Sequence, residues 1–246
     1  MGFFDFLFAG GAQSQLKKHI KRLTNLNAQM EERMASAQWL SEYGQGETED
    51  APQAIVGLLK RFGLTYEKQM KDLEEKEFIV RQVRRIGVKA VDPLKAWMRQ
   101  NEQFAYPIQI LEELSDSEST VDFLLEMLGE EIDPFKTEKK RQIILHLGNY
   151  ENDIIVSRVA ACLRDYDEGV RYAAVETLAK QNPQLTRNPL VEALGNLEEE
   201  SNRLRIRLAE ITVQNDWSLG ELSEDIASAP PYGWTVQNQR MVVLNS

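Results

Sequence analysis

A chain of 246 residues with 42% hydrophobic and 28% charged content is ample for a sizeable core and too apolar for wholesale disorder. Its net charge of −10, from 29 basic and 39 acidic side chains, repels phosphate backbones and argues against a general nucleic-acid binder. Cys162 is the only cysteine, which excludes an internal disulfide and any multi-cysteine metal site, and no apolar run reaches the roughly 18–20 residues that cross a bilayer.

Residues 1–11 form an aromatic cluster, Phe3, Phe4, Phe6, Leu7 and Phe8, interrupted by Asp5 and closed by Gly10-Gly11. Without a basic n-region it does not read as a secretory signal, and the protein is expected in the cytoplasm. From Ala12 to Tyr43 neither proline nor glycine intervenes, which predicts one long helix. Leu16, Ile20, Leu23, Asn27, Met30, Met34 and Ala37 alternate spacings of four and three along it. Such a seam suits either packing along the first repeat of the chain's own core or a weak homodimeric coiled coil. The former is preferred, because the seam is short and Met-rich. Residues 1–41 carry net +2 against −12 for the remainder. Phe3, Phe4, Phe6 and Phe8, with Lys17, Lys18, Lys21 and Arg22 after them, are candidate contacts for a partner groove or an anionic membrane surface. The preferred reading of this segment is a hydrophobic plug over the first repeat, the cap that an open-ended stack of repeats needs.

Gly44 to Asp50 reads as a flexible connection, ending an N-terminal segment of residues 1–49. Pro52 then suits the first turn of a helix carrying Ile55, Leu58, Leu59 and Phe62. Residues 50–216 read as a series of short amphipathic helices. Val91-Asp92-Pro93-Leu94 and Arg187-Asn188-Pro189-Leu190 look like a cap followed by proline, Asp133-Pro134-Phe135 is a looser version, and Ser119-Thr120-Val121-Asp122 resembles a capping box. The clearest unit is a hairpin. Ile154, Ile155, Val159 and Leu163 make one apolar stripe, Asp165-Tyr166-Asp167 a short turn, and Val170, Ala173, Ala174 and Leu178 a second stripe behind an Asp167 cap. Residues 217–246 form an irregular tail or cap in which Tyr232 and Trp234 are candidate recognition residues.

Val80-Arg81 recurs as Val170-Arg171 after 90 residues, with Arg141 at 60 and Leu204-Arg205 another 34 beyond Arg171. A repeat of roughly 30–34 residues, each an αα-hairpin, marks a solenoid. The pieces Phe78-Ile79-Val80-Arg81-Gln82-Val83 with Val91-Asp92-Pro93-Leu94, and Asp167-Glu168-Gly169-Val170-Arg171-Tyr172-Ala173-Ala174, resemble HEAT repeats of the short phycobilisome-lyase type. The resemblance implies an all-α, right-handed α-solenoid of about five stacked hairpins behind a long N-terminal helix. It also implies an inter-repeat hydrogen-bond ladder through Asp167 and Arg171. Arg81 matches the ladder's Arg position, with Glu77 standing where an Asp is usual.

Candidates for chemistry are few. His19 and His146 lie far apart in sequence, and His146 reads as a half-buried imidazole in an apolar helix. The pairs Glu74-Glu75, Glu112-Glu113, Glu130-Glu131 and the run Glu198-Glu199-Glu200 read as solvated faces rather than acid–base pairs. No catalytic, cofactor-binding or metal site is assigned. Arg81, Arg84, Arg85 and Lys89 form a basic patch, and with Trp97 and Asp92 they outline what a HEAT-like DNA glycosylase would use; that enzyme and a lyase remain the competing class. The preferred function is a non-catalytic scaffold or adaptor, a monomer or weak dimer, binding a protein partner with a basic patch.

Overall fold

A computed structural model describes the backbone of residues 3–65, 69–102, 104–130 and 137–244, with side chains in those ranges from residue 11 onward, residue 130 excepted. The chain is an all-α helical-repeat solenoid, with one short hairpin of strands at its end. Its contacts divide into two units, Met1–Phe123 and Leu124–Ser246.

In the first unit the expected single N-terminal helix is two. Helix α1 (Phe3–Thr24) runs straight through Gly10-Gly11, and α2 (Met30–Gly44) folds back on it. The break is local polar chemistry. Thr24 Oγ1 donates back to the Ile20 carbonyl at 3.0 Å, and Asn25 Oδ1 accepts Asn27 N–H at 3.1 Å, an Asx turn that competes with the helix. Leu16, Leu23 and Ala37 of the heptad seam are buried within this hairpin, and Asn27 is exposed at its tip. Helix α3 (Ala51–Leu59) starts with Pro52 in its first turn and buries Ile55, Leu58 and Leu59. Gly57 lets α1 approach, since a Cβ there would sit 2.6 Å from Ile20 Cγ1.

Helix α4 (Gln69–Ile86) leads through a 3₁₀ turn at Gly87–Ala90 into α5 (Val91–Gln100), then α6 (Ala105–Leu114) and α7 (Ser117–Glu130). Two expected caps are corrected. Asp92 lies inside α5, which grows directly from the 3₁₀ turn without a side-chain cap. The start of α7 is held by Asp116, whose carboxylate accepts Ser119 N–H and Oγ–H, each at 2.8 Å, three residues before the proposed box.

The second unit contains α8 (Thr137–Leu147), α9 (Asp153–Ala160), α10 (Glu168–Leu178), α11 (Pro183–Leu194), α12 (Asn202–Gln214) and α13 (Ser223–Ser228). Asp133-Pro134-Phe135 lies outside the described residues. The α9–α10 hairpin forms as its stripes require, joined by a 3₁₀ turn at Ala161–Arg164, with Val170, Ala173, Ala174 and Leu178 buried and Val170 N–H donating to Asp167 Oδ1 at 2.9 Å. Ile154 is the exception at 52% exposed; it sits in the first turn, capped by Asn152, and Ile155 takes the buried place. The cap-and-proline start of α11 is Asn182-Pro183, with Gln184 N–H donating to Asn182 Oδ1 at 3.0 Å, so Pro189 falls inside the helix.

The tail is more regular than expected. After α13, strands β1 (Trp234–Gln237) and β2 (Arg240–Val243) pair antiparallel across Asn238-Gln239, both at positive φ, the geometry of a tight two-residue hairpin. The hairpin packs on α12, with Met241 buried and Leu219 N–H donating to Gln239 O at 2.8 Å.

Candidate functional site: an acidic cleft in the second unit

A cleft of about 830 Å³ opens beside the 3₁₀ turn that ends α9, the C-terminal end of α11 and the first residues of α12. Arg171, one turn into α10, builds its floor. It grips Glu199 with two hydrogen bonds, Nε to Oε2 at 2.7 Å and Nη2 to Oε1 at 2.8 Å. Its Nη1 donates to the carbonyls of Asp165 at 2.9 Å and Tyr166 at 3.0 Å. One guanidinium thus ties the turn before α10 to the turn before α12. Glu199 also accepts Ser201 N–H at 2.8 Å, and Ser201 Oγ–H reaches Glu168 at 3.0 Å. On the far side, Lys140 pairs with Asp165, which also accepts Asp167 N–H at 3.0 Å.

These pairings fix the electrostatics. Burial alone would raise the Glu199 carboxyl, but the bonds from Arg171 and Ser201 outweigh it and hold the group below the usual carboxylate range. The Glu199 bond in turn raises Arg171, and Asp165 outweighs the effect of burial on Lys140 to raise it. With Arg171–Glu199 and Lys140–Asp165 satisfied, Glu192, Glu198 and Glu200 remain exposed around the cleft against Arg164, the one exposed cation among the described lining residues. Tyr166, 62% exposed, adds a ring at its edge. Cys162 is buried nearby, its thiol pushed up by desolvation, which makes it a poor nucleophile.

The residues singled out from the sequence are dispersed. Arg171 reaches the cleft, but the acid it meets is Glu199, 28 residues on, while Asp167 caps its own helix. Arg81 is exposed and lies over the ring of Phe78, 5.6 Å from its centroid. Within the proposed basic patch, Arg84 pairs with Glu113, and Lys89 pairs with Glu47 and donates to the Gln45 carbonyl at 2.9 Å. Asp92 is exposed and Trp97 buried. Lys17, Lys18 and Lys21 are exposed on α1 and Arg22 is half-buried, while the side chains of Phe3, Phe4, Phe6 and Phe8 lie outside the described residues. Tyr232 is 84% exposed at the foot of the tail hairpin, where its N–H donates to Asn202 Oδ1 at 3.2 Å, and Trp234 is half-buried.

The first unit holds a second charged constellation that the sequence reading missed. Glu75, wholly buried, accepts Arg33 Nε at 2.5 Å and Arg61 Nη2 at 2.8 Å, and Arg61 Nη2 also reaches Asp72 at 2.7 Å. Asp72 is further bound by Lys76 at 2.7 Å; burial raises its carboxyl, but the bonds from Lys76 and Arg61 leave it below the ordinary range. Buried so completely, this cluster cross-links α2, α4 and the 3₁₀ turn after α3 and offers nothing to a ligand. Among the described residues, no group of three or more His, Cys, Asp or Glu could hold a metal ion, and no helix is long and apolar enough to cross a membrane.

No protein-family model matches the chain, and no curated protein matches it. Solved structures similar to it include computationally designed armadillo repeat proteins for modular peptide recognition, at 15% identity and TM-score 0.42, over 81% of this chain and 98% of that one. A designed armadillo repeat protein in complex with the peptide (KR)4 gives 15% identity and TM-score 0.44 over the same shares. An engineered protein gives 14% identity and TM-score 0.33, over 87% of this chain and 90% of that one.

Proposed function

We propose that this protein is a non-catalytic scaffold that binds a protein partner through the acidic cleft of its second unit, and that the partner contributes a segment rich in lysine or arginine. The observation that carries this reading is the charge left in the cleft: Glu192, Glu198 and Glu200 against Arg164, once Arg171 and Lys140 are taken by Glu199 and Asp165. Exposed carboxylates around a concave surface steer and orient a cationic chain, and Tyr166 offers a ring face to a guanidinium or ammonium. The HEAT-like character of the repeats belongs to the same proposal, with Arg171 serving as an inter-repeat tie whose acid is Glu199.

The test is fluorescence anisotropy with a labelled Lys/Arg octapeptide, its Glu/Asp counterpart, and the triple variant Glu192→Lys, Glu198→Lys, Glu200→Lys. Binding of the basic peptide is expected to weaken as salt rises and to vanish in the triple variant. Equal affinity for the acidic peptide, or affinity indifferent to the three substitutions, would sink the reading. The exposure of Lys17, Lys18 and Lys21 on α1 favours a second reading, contact with an anionic membrane surface, which co-sedimentation with anionic and neutral vesicles decides.

A further inference from the structure

The α1–α2 hairpin carries a stack of three rings. The His19 imidazole lies on the Trp39 indole, centroids 4.3 Å apart and planes within 10°, and Trp39 lies on Tyr43 at 5.0 Å and 18°. The stack closes the hairpin on the side of α1 that also bears Leu16 and Leu23 in the core. Within it, His19 Nδ1 is buried and has no hydrogen-bond partner.

We propose that this stack is a pH-sensitive latch, in which protonation of His19 frees α1 from α2 and uncovers Leu16 and Leu23. A neutral imidazole carries its proton on Nε2 and leaves Nδ1 an unpaired acceptor, a modest cost. Protonation places an N–H and a share of positive charge on that same buried atom, where no acceptor waits. A stacked imidazolium does gain attraction from the indole face. The surrounding charges oppose it, however. On α1 the neighbours are Lys18 and Arg22; α3 has no charged side chain. On α2, Glu31 and Glu32 are exposed in the first turn, two turns before Trp39, Arg33 is turned to Glu75, and Glu42, one turn past Trp39, holds Gln38 Nε2 at 3.1 Å. In the 3₁₀ turn after α3, Lys60 is exposed and Arg61 is engaged with Glu75 and Asp72. Burial first, then Arg22 and Lys18, hold the imidazole below its ordinary value. The sign follows: with the folded-state value lowered, the neutral latch is intact above the ordinary histidine value near 6.5 and weakens as pH falls through it.

Two measurements on the full chain decide the matter. Amide hydrogen exchange of residues 11–24, corrected for intrinsic chemistry, is expected to speed up roughly tenfold between about pH 7 and pH 5.5, the factor a buried unmatched donor implies. The same region is expected to show no such acceleration in His19→Gln, while His146→Gln behaves as wild type. Equal acceleration in wild type and His19→Gln overturns the proposal. If His19→Gln does not fold, NMR titration of the wild-type imidazole carries the decision. The Nε2–H tautomer with a midpoint below 6.5 supports the latch, and a midpoint at or above it, or the Nδ1–H tautomer, overturns it.

Discussion

Replacing Glu75 by alanine removes the carboxylate that two buried guanidinium groups share. Arg33 would keep the Leu26 carbonyl at 3.3 Å and that of Ala28, and Arg61 would keep Asp72 at 2.7 Å and Leu64 O at 2.9 Å. Four charge-assisted contacts to Glu75 would be lost, in a site where all three side chains are at most 2% exposed. Breaking a buried ion pair by deleting one partner costs about 3–5 kcal/mol, a large fraction of the roughly 5–15 kcal/mol that holds a domain together. At about 2–4 °C per kcal/mol for a chain of this size, the melting temperature should fall by roughly 6–20 °C. Because the chain has two units, calorimetry should be joined to hydrogen exchange, with the loss of protection concentrated in α2 and α4. The discriminating control is the triple replacement Arg33→Met, Arg61→Met, Glu75→Leu, which removes the shared carboxylate together with both guanidinium groups and leaves Asp72 with Lys76. It is expected to lie within about 1–2 kcal/mol of wild type, since apolar groups of similar volume commonly replace a buried ion cluster without loss. If the triple variant is as damaged as Glu75→Ala, the cost arises from packing shape and the electrostatic account is wrong.

Gly57→Ala sets two effects against each other. The helix gains about 1 kcal/mol of propensity, but the new methyl would meet Ile20 Cγ1 at 2.6 Å, and overpacking of about 1–3 kcal/mol should win; urea denaturation reads the sign. Asn182→Ala removes the acceptor for Gln184 N–H and should lower stability by about 1 kcal/mol, whereas Asn188→Ala, inside α11 and exposed, should change it by less than about 0.5 kcal/mol. Glu199, whose carboxyl is held below the usual range, contributes stability that is present above the ordinary carboxylate value and lost as pH falls through the lowered one. In acid, therefore, the segment from Tyr166 to Ser201 should lose protection in wild type, and Glu199→Gln should already lack that protection at neutral pH and show a flatter acid limb.

The features legible in the sequence were those whose causes lie within a few residues. The α9–α10 hairpin is one: its second stripe, its short turn and its Asp167 cap are contiguous, and the packing that buries them does not alter them. The break between α1 and α2 was missed because the heptad seam carries on across it. Leu23, Asn27 and Met30 keep the spacing whether the helix continues or reverses. Only Thr24 and Asn25, polar groups that bond their own backbone, distinguish the two outcomes.

The charged residues that matter most were hidden in plain composition. Glu74-Glu75 and Glu198-Glu199-Glu200 read as solvated runs, yet in each one member is buried and its neighbours are not. A run of like residues averages over faces, and a helix does not. Position 75 shares its face with Ile79, Gln82, Val83 and Ile86, all buried, and Asp72 sits one turn before it on the same face. Arg33 stands in the same relation to Ala37 and Leu40 on α2, and Arg61 adjoins buried Phe62. A charge that falls on an apolar stripe calls for an opposite charge on another element's stripe, because leaving it alone costs several kcal/mol, a large share of the unit's stability. Arg33, Arg61 and Glu75 are therefore a mutual explanation: each is costly in the core without the others, and together they fix which helices face one another. Glu199 lies in a turn rather than on a helix, and no such periodicity marks it. Its partner Arg171 was found because it stands at the edge of the α10 stripe, and the identity of the acid it meets is set only when α12 packs against α10.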